Sequence, residues 1–142
     1  MLSGGPVLVF LWSVCLLAAP NRTRRRDLCS LDRIKKVESL NNMLPTQMDL
    51  SLYTPSVDDY KKCPGATLSC FTDELSVLCE EMKASGLNRT QQNLSQSIWN
   101  LAKKFNESES DCRQCELHPE KSPEDFLSVL LNILEMINFG NC

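Results

Sequence analysis

The chain has 142 residues and a formal net charge of −3, a size that suits one domain with its own apolar core. The acidic balance argues against nucleic acid and anionic membranes as targets. With one histidine and five glycines, the chain is poor in the residues that build catalytic triads and phosphate-binding loops.

The N-terminal residues 1–20, MLSGGPVLVFLWSVCLLAAP, carry no charge and include an apolar run from Val7 to Ala19. Such a run predicts a secretory signal peptide, because a spanning helix needs about 20 apolar residues. An uncleaved signal that tethers the chain to a membrane is the alternative. We therefore expect a secreted, extracellular protein.

A short basic segment, residues 21–27, follows the predicted signal peptide. It contains RTRR at 22–25, which is either a proprotein convertase site or a solvated basic patch. The remaining residues, 28–142, form the predicted domain. Sequons of the N-x-S/T type predict N-glycosylation at Asn21, Asn88, Asn93 and Asn106.

Apolar residues recur at steps of three and four in four segments, which predicts amphipathic helices. These segments, A to D, cover residues 28–44, 66–84, 90–105 and 123–139. Between A and B, LSLYTP at 50–55 has the most strand character. Segment D opens with Ser122 as its N-cap and Pro123 in the first turn.

The connections between the four segments are long, short and long, in that order. Parallel neighbouring helices need long crossovers, whereas antiparallel neighbours need only short loops. The predicted fold is therefore all-α, an up-up-down-down four-helix bundle with two long crossover loops and disulfide staples.

The motif CRQC, at 112–115, is compatible with a zinc site, with a redox pair or with halves of two separate disulfides. A single histidine and an oxidising compartment disfavour zinc, and no thioredoxin-like strand precedes the motif. We expect Cys112 and Cys115 to tie the last crossover to the two cysteines of CPGATLSC, at 63–70.

The predicted topology also places the start of segment A beside the end of segment D, so that Cys29 and Cys142 can pair. Cys79 then remains without a mate. It is either a buried thiol, which behaves as a small apolar group, or half of a bridge to another chain.

The sequence offers no candidate catalytic residue. The only imidazole, His118, lies in the polar segment ELHPEK, where we expect an exposed side chain without a catalytic role. Adjacent acids such as Asp73 and Glu74 point about 100° apart on a helix and do not converge on a substrate. We predict no enzyme activity, no metal site, no cofactor and no small-molecule substrate.

Two stretches of the chain resemble the interleukin-15 and interleukin-15-like cytokines. They are LYTPSVDDYKKCPGATLSCFTDELSVLCEE and ESDCRQCELHPEKSPEDFLSVLLNILEMIN, with a weaker match at IKKVESL. The resemblance covers roughly residues 31–138, and the cysteine pattern makes it specific. It implies a short-chain four-helix cytokine with the disulfides Cys63–Cys112 and Cys70–Cys115. A further pair, Cys29 and Cys142, departs from the minimal pattern and favours the interleukin-15-like branch.

The resemblance further implies that a sushi-domain receptor α chain binds helix B and the A–B loop, with basic residues facing cytokine acids. The matching positions are Tyr53, Glu74, Val77 and Glu81. Asp73, where the family pattern has leucine, adds one more negative charge.

For the receptor β chain, the implied contacts are an aspartate in helix A and an asparagine in helix C. The aspartate's position holds Arg33, with Asp32 beside it. The asparagine corresponds to Asn100, or to Ser97 under a shifted alignment. A glycan on Asn93 would crowd this face.

For the common γ chain, the implied contact is Glu135, followed by Met136. As a whole, the resemblance implies a secreted cytokine that binds these receptor chains and stimulates lymphocyte immune responses. One alternative is a saposin-like secreted lipid-binding protein, which the disulfide map distinguishes. Another is a helical growth factor or inhibitor outside this receptor system, which receptor binding distinguishes.

Overall fold

The computed structural model describes residues 28–87, 93–105 and 111–142. The predicted signal peptide, the basic segment and the sequons at Asn21, Asn88 and Asn106 lie outside these residues. The described helices are α1 (Leu31–Asn42), α2 (Val57–Lys62), α3 (Pro64–Glu81), α4 (Leu94–Ala102) and α5 (Pro123–Asn141). Two short strands, β1 (Leu52–Tyr53) and β2 (Glu120–Lys121), complete the fold, with 3₁₀ turns at Lys83–Ser85 and Cys115–Leu117. Within the described ranges, none of the helices has the length and apolarity to cross a bilayer.

Helices α1, α3, α4 and α5 confirm the four predicted segments, with ends that differ by a few residues. Helix α5 starts as its sequence indicates, because the Ser122 hydroxyl accepts a hydrogen bond from the Asp125 N–H, at 3.2 Å. The turn after α3 ends at Gly86, which adopts φ +82°, a left-handed conformation that favours glycine.

Helix α2 is an addition that the periodicity did not predict. It has only six residues and buries none of them completely, so it shows no apolar stripe. Its start is fixed by a capping box, in which the Ser56 hydroxyl accepts from the Asp59 N–H and the Asp59 carboxylate accepts from the Ser56 N–H. A short helix within the first crossover thus depends on its cap.

The helix directions follow from contacts at the helix ends. The Cys29–Cys142 disulfide joins the start of α1 to the end of α5, so these helices are antiparallel. Tyr60, before α3, packs edge-on against Phe105, after α4, with ring centroids 6.0 Å apart. Helices α3 and α4 are therefore antiparallel as well. Both pairs are antiparallel in either four-helix topology, and the long first and last connections, which parallel neighbours need, favour the predicted up-up-down-down arrangement.

All four long helices contribute to one apolar core. Within it, the ring of Phe71 on α3 packs against that of Phe126 on α5, with centroids 5.1 Å apart. Cys79 lies in this core as a buried free thiol, and burial raises the pKa of the thiol, with a smaller contribution from Glu80. The fully buried members include Leu40, Leu68, Leu75, Leu78, Ile98, Leu101, Leu130 and Leu134.

The two crossovers meet on one side of the bundle. Strands β1 and β2 pair antiparallel, with Tyr53 opposite Glu120 and Leu52 opposite Lys121. The disulfides Cys63–Cys112 and Cys70–Cys115 fix the second crossover to the start of α3. Each staple therefore holds a loop in place that has little secondary structure of its own.

His118 corrects one expectation from the sequence, because its side chain is only 3% exposed. The segment that carries it is polar but is not free to lie in solvent. The Cys70–Cys115 disulfide anchors it on one side, and the Thr54 N–H donates to the Pro119 carbonyl on the other, at 2.9 Å. These two links hold the imidazole beside Asp59 of α2.

Candidate functional site

The positions matched to an α-chain contact come from two separate elements, β1 and α3. The Glu74 carboxylate joins them, because its Oε2 accepts a hydrogen bond from the Tyr53 N–H, at 2.9 Å. Val77 and Glu81 follow at three and seven residues along α3, which places them on the same side of the helix. Val77 is 43% exposed and Glu81 is exposed. These residues form a single surface.

Other acids surround the carboxylate of Glu74. Partial burial raises the pKa of Glu74, the Tyr53 hydrogen bond lowers it, and the charges of Asp73, Glu116 and Glu120 raise it again. Two of these acids, Glu116 and Glu120, belong to the second crossover. We use the name acidic face for Tyr53, Asp73, Glu74, Val77, Glu81, Glu116 and Glu120.

Sequence reasoning missed the contribution of Glu116 and Glu120, which lie far along the chain from α3. A signal for them was present. Pairing Cys115 with Cys70 brings the next residue, Glu116, close to the turn of α3 that carries Glu74. Glu120 required the pairing of β1 with β2, which the sequence did not indicate.

The acidic face has a mixed character. Its carboxylates are mutually repulsive, so they are held together by the fold, and a group of opposite charge would stabilise them. Val77 supplies an exposed apolar side chain among them. A charged rim around an apolar contact is the usual composition of a protein–protein interface.

The positions matched to a β-chain contact differ in accessibility. Asp32 is exposed and forms an ion pair with Lys36, at 2.9 Å, on the same helix. Asn100 is exposed and accepts from the Gln96 side chain, at 3.1 Å. Among the described residues, no hydrogen bond or ion pair joins Asp32 to Asn100.

The alternative pair at this face, Arg33 and Ser97, makes a direct contact between α1 and α4. The Arg33 Nε–H donates to the Ser97 hydroxyl at 2.8 Å and to its carbonyl at 3.3 Å. A second guanidinium nitrogen donates to the Ser30 hydroxyl, at 2.8 Å. Burial lowers the pKa of Arg33, whereas Asp32 raises it. The guanidinium thus links two helices.

The positions matched to a γ-chain contact lie near the end of α5. Glu135 is exposed and Met136 is 37% exposed. Phe139, one turn further on, is 95% exposed, and Leu31 at the start of α1 is also exposed. Sequence reasoning did not single out Phe139, although its position outside the apolar stripe of segment D was a usable signal.

The described part of the chain contains no group of three or more histidine, cysteine or acidic side chains that could hold a metal ion. Asn93, the one sequon within the described residues, is exposed at the N-cap of α4. It precedes Asn100 by two turns.

A sequence model of the interleukin 15 family matches residues 9–138 of the chain. The chain belongs to the interleukin-15 family. It is 31% identical over 123 residues to interleukin-15 of Oryctolagus cuniculus, and the match covers 86% of this chain and 74% of the relative. Interleukin-15 of Bos taurus and of Homo sapiens are each 30% identical over the same length, with the same coverage. No solved structure gives a significant match.

Membership in the interleukin-15 family makes the protein a cytokine, which is not a class of enzyme. The described disulfides are those named from the sequence, including Cys29–Cys142. Family and disulfide map together favour the cytokine over a saposin-like lipid-binding protein. Binding to cytokine receptor chains follows from the family.

Proposed function

We propose that this cytokine is secreted, binds a sushi-domain receptor α chain through the acidic face and stimulates lymphocytes through β and common γ chains. The observation that carries the α-chain assignment is the position of Glu74. A partly buried carboxylate stands beside three further acids, although burial and repulsion both act against its charge. Opposite charge on a basic partner would offset both costs.

The chemistry of the acidic face suits such a partner in two ways. Long-range attraction between an acidic and a basic surface accelerates association and orients the encounter. Contact around Val77 then excludes water, which strengthens the charged hydrogen bonds at its edge. Tyr53 is held for binding by its backbone bond to Glu74.

For the β chain, we propose contact through Asp32 and Asn100, both of which are exposed. Arg33 instead links α1 to α4, because its Nε–H donates to Ser97. A glycan on Asn93 would limit approach to this face from the start of α4. For the γ chain, we propose Glu135 and Met136 on α5.

For maturation, we propose removal of a signal peptide over residues 1–20 and, at RTRR, cleavage within residues 21–27. The circulating form would then contain the domain of residues 28–142. N-glycosylation at Asn21, Asn88, Asn93 and Asn106 fits passage through the secretory pathway. Mass spectrometry of the protein from a eukaryotic host measures the mature N-terminus and the occupied sequons.

The decisive experiment is a calorimetric titration of the purified glycoprotein with the sushi domain of the matching α receptor. We expect saturable binding that weakens as salt increases, because exposed charges are screened over roughly 8–10 Å at physiological ionic strength. Binding that does not respond to salt would contradict the electrostatic assignment. No binding, with the three disulfides intact, would remove the α chain as the partner.

A further inference from the structure

His118 is buried in surroundings that leave it incompletely satisfied. Its Nδ1 has no hydrogen-bond partner within the described residues and lies 3.5 Å from Oδ2 of Asp59. That oxygen already accepts from the N–H and the hydroxyl of Ser56, each at 2.8 Å. The capping box of α2 therefore occupies the carboxylate oxygen that lies beside the imidazole.

A polar cavity of about 100 Å³ opens beside the imidazole. The charged groups that face it come from both neighbouring segments. Helix α2 contributes Asp59 and Lys62, and the start of the second crossover contributes Asp111 and Arg113. Two charges of each sign line the cavity, and Cys63, Ala66 and Thr67 complete its wall, so neither sign dominates there.

Burial has the largest influence on the pKa of this ring. Desolvation lowers the pKa of His118, Asp59 raises it and Arg113 lowers it, with a net shift below the ordinary value. The same imidazole in a hydrated, open segment would titrate near its usual pKa of about 6.5. Protonation is therefore easier when the segment leaves the cavity.

The segment that carries His118 also supports the acidic face. Next to the imidazole, the Pro119 carbonyl accepts from the Thr54 N–H, and Glu120 then pairs with Tyr53. The Tyr53 N–H in turn donates to Glu74. Displacing His118 would weaken the bond from Thr54 to Pro119 first. The pairing of Tyr53 with Glu120 and the bond from Tyr53 to Glu74 would then weaken as well.

We propose that His118 is a pH-sensitive latch that keeps the second crossover on α2 while neutral and releases the β1–β2 ribbon when protonated. The direction follows from linkage. A histidine whose folded pKa is lowered contributes stability above its unfolded pKa, and this stability is lost as the pH falls. Release in acidic compartments after uptake with a receptor is the consequence, and this last step rests on the proposed function.

The first test is an NMR titration of the wild-type imidazole. Because the chain has one histidine, its Cε1–H signal needs no assignment. We expect a midpoint below about 6.5. A midpoint at or above that value would overturn the latch, since the ion pair with Asp59 would then outweigh burial and acid would tighten the segment.

The second test is hydrogen exchange of the Thr54 amide, corrected for the intrinsic effect of pH. Because the folded pKa of His118 lies below that of the open segment, linkage predicts that exchange rises between about pH 7 and pH 5, by at most about tenfold for each unit by which the folded pKa is lowered. His118→Leu, which cannot titrate, should remove this increase. An equal increase in wild type and variant would refute the role of His118.

These tests use the cytokine without a receptor, so they do not depend on which receptor it binds. A third measurement compares affinity for the sushi domain at the same two pH values. We expect wild-type affinity to fall more steeply than that of His118→Leu. Equal pH dependence with an intact latch would refute its role in receptor release, whereas no binding at either pH would reject the proposed function and leave the latch standing.

Discussion

The carboxylate of Glu74 has two roles, which different substitutions can separate. It holds β1 to α3 through the Tyr53 N–H, and it supplies charge to the acidic face. Glu74→Gln keeps an acceptor oxygen and removes the charge. Glu74→Ala removes both, so the difference between the two variants isolates the hydrogen bond.

The magnitudes follow from the environment of the side chain. A hydrogen bond to a charged group contributes about 1.5–3 kcal/mol when buried, and Glu74 is only partly buried. We therefore expect Glu74→Ala to lower the free energy of unfolding by about 1–2 kcal/mol. Glu74→Gln should leave it unchanged or raise it at neutral pH, because repulsion from Asp73, Glu116 and Glu120 is removed.

Binding to the sushi domain should not follow the same order as stability. Both should weaken binding to the sushi domain by about 1–3 kcal/mol, roughly five- to 150-fold in Kd. Calorimetry measures the affinity and urea unfolding measures the stability. The matched control is Glu80→Gln on the same helix, an exposed acid paired with Lys83, which should change either quantity by less than about 0.5 kcal/mol. If Glu74→Gln binds like wild type and Glu74→Ala does not, the carboxylate acts only by holding β1.

Three other variants probe the scaffold. Replacing Cys70 and Cys115 together by serine leaves Cys63–Cys112 to close nearly the same loop, so only the small ring of about 10 residues between the two bridges opens. The unfolding free energy in urea should fall by about 3 kcal/mol; an unchanged midpoint would contradict that role. Phe71→Ala should cost about 3–5 kcal/mol in thermal unfolding, and a loss under 1 kcal/mol would mean that the core collapses around it. Arg33→Met should cost about 1 kcal/mol by loosening its contact with Ser97, and equal stability would show that water replaces those bonds.

The four long helices were predictable because each is long enough to show its apolar period. Helix α2 was not, since its six residues contain no fully buried side chain. The only local signal was the capping pair, Ser56 and Asp59, which is common in turns as well. Short elements in crossovers are specified by what they pack against.

The residues of the candidate site also differ in how far the sequence predicted them. Glu74, Val77 and Glu81 share one helix, so their spacing placed them on one side. The contribution of Glu120 and the burial of His118 depend on the pairing of two short strands that are distant in sequence. Polarity alone predicted an exposed histidine, because composition carries no information on which loop a disulfide draws inward.

The Cys29–Cys142 disulfide has a mechanical consequence. It spans 113 residues and keeps the two Cα atoms 5.7 Å apart, so the bundle is a closed covalent ring. Tension applied to these residues passes through one sulfur–sulfur bond, and no helix bears the load. Reduction would transfer that load to the non-covalent packing of α1 against α5, so a reductant would determine whether the molecule can be stretched.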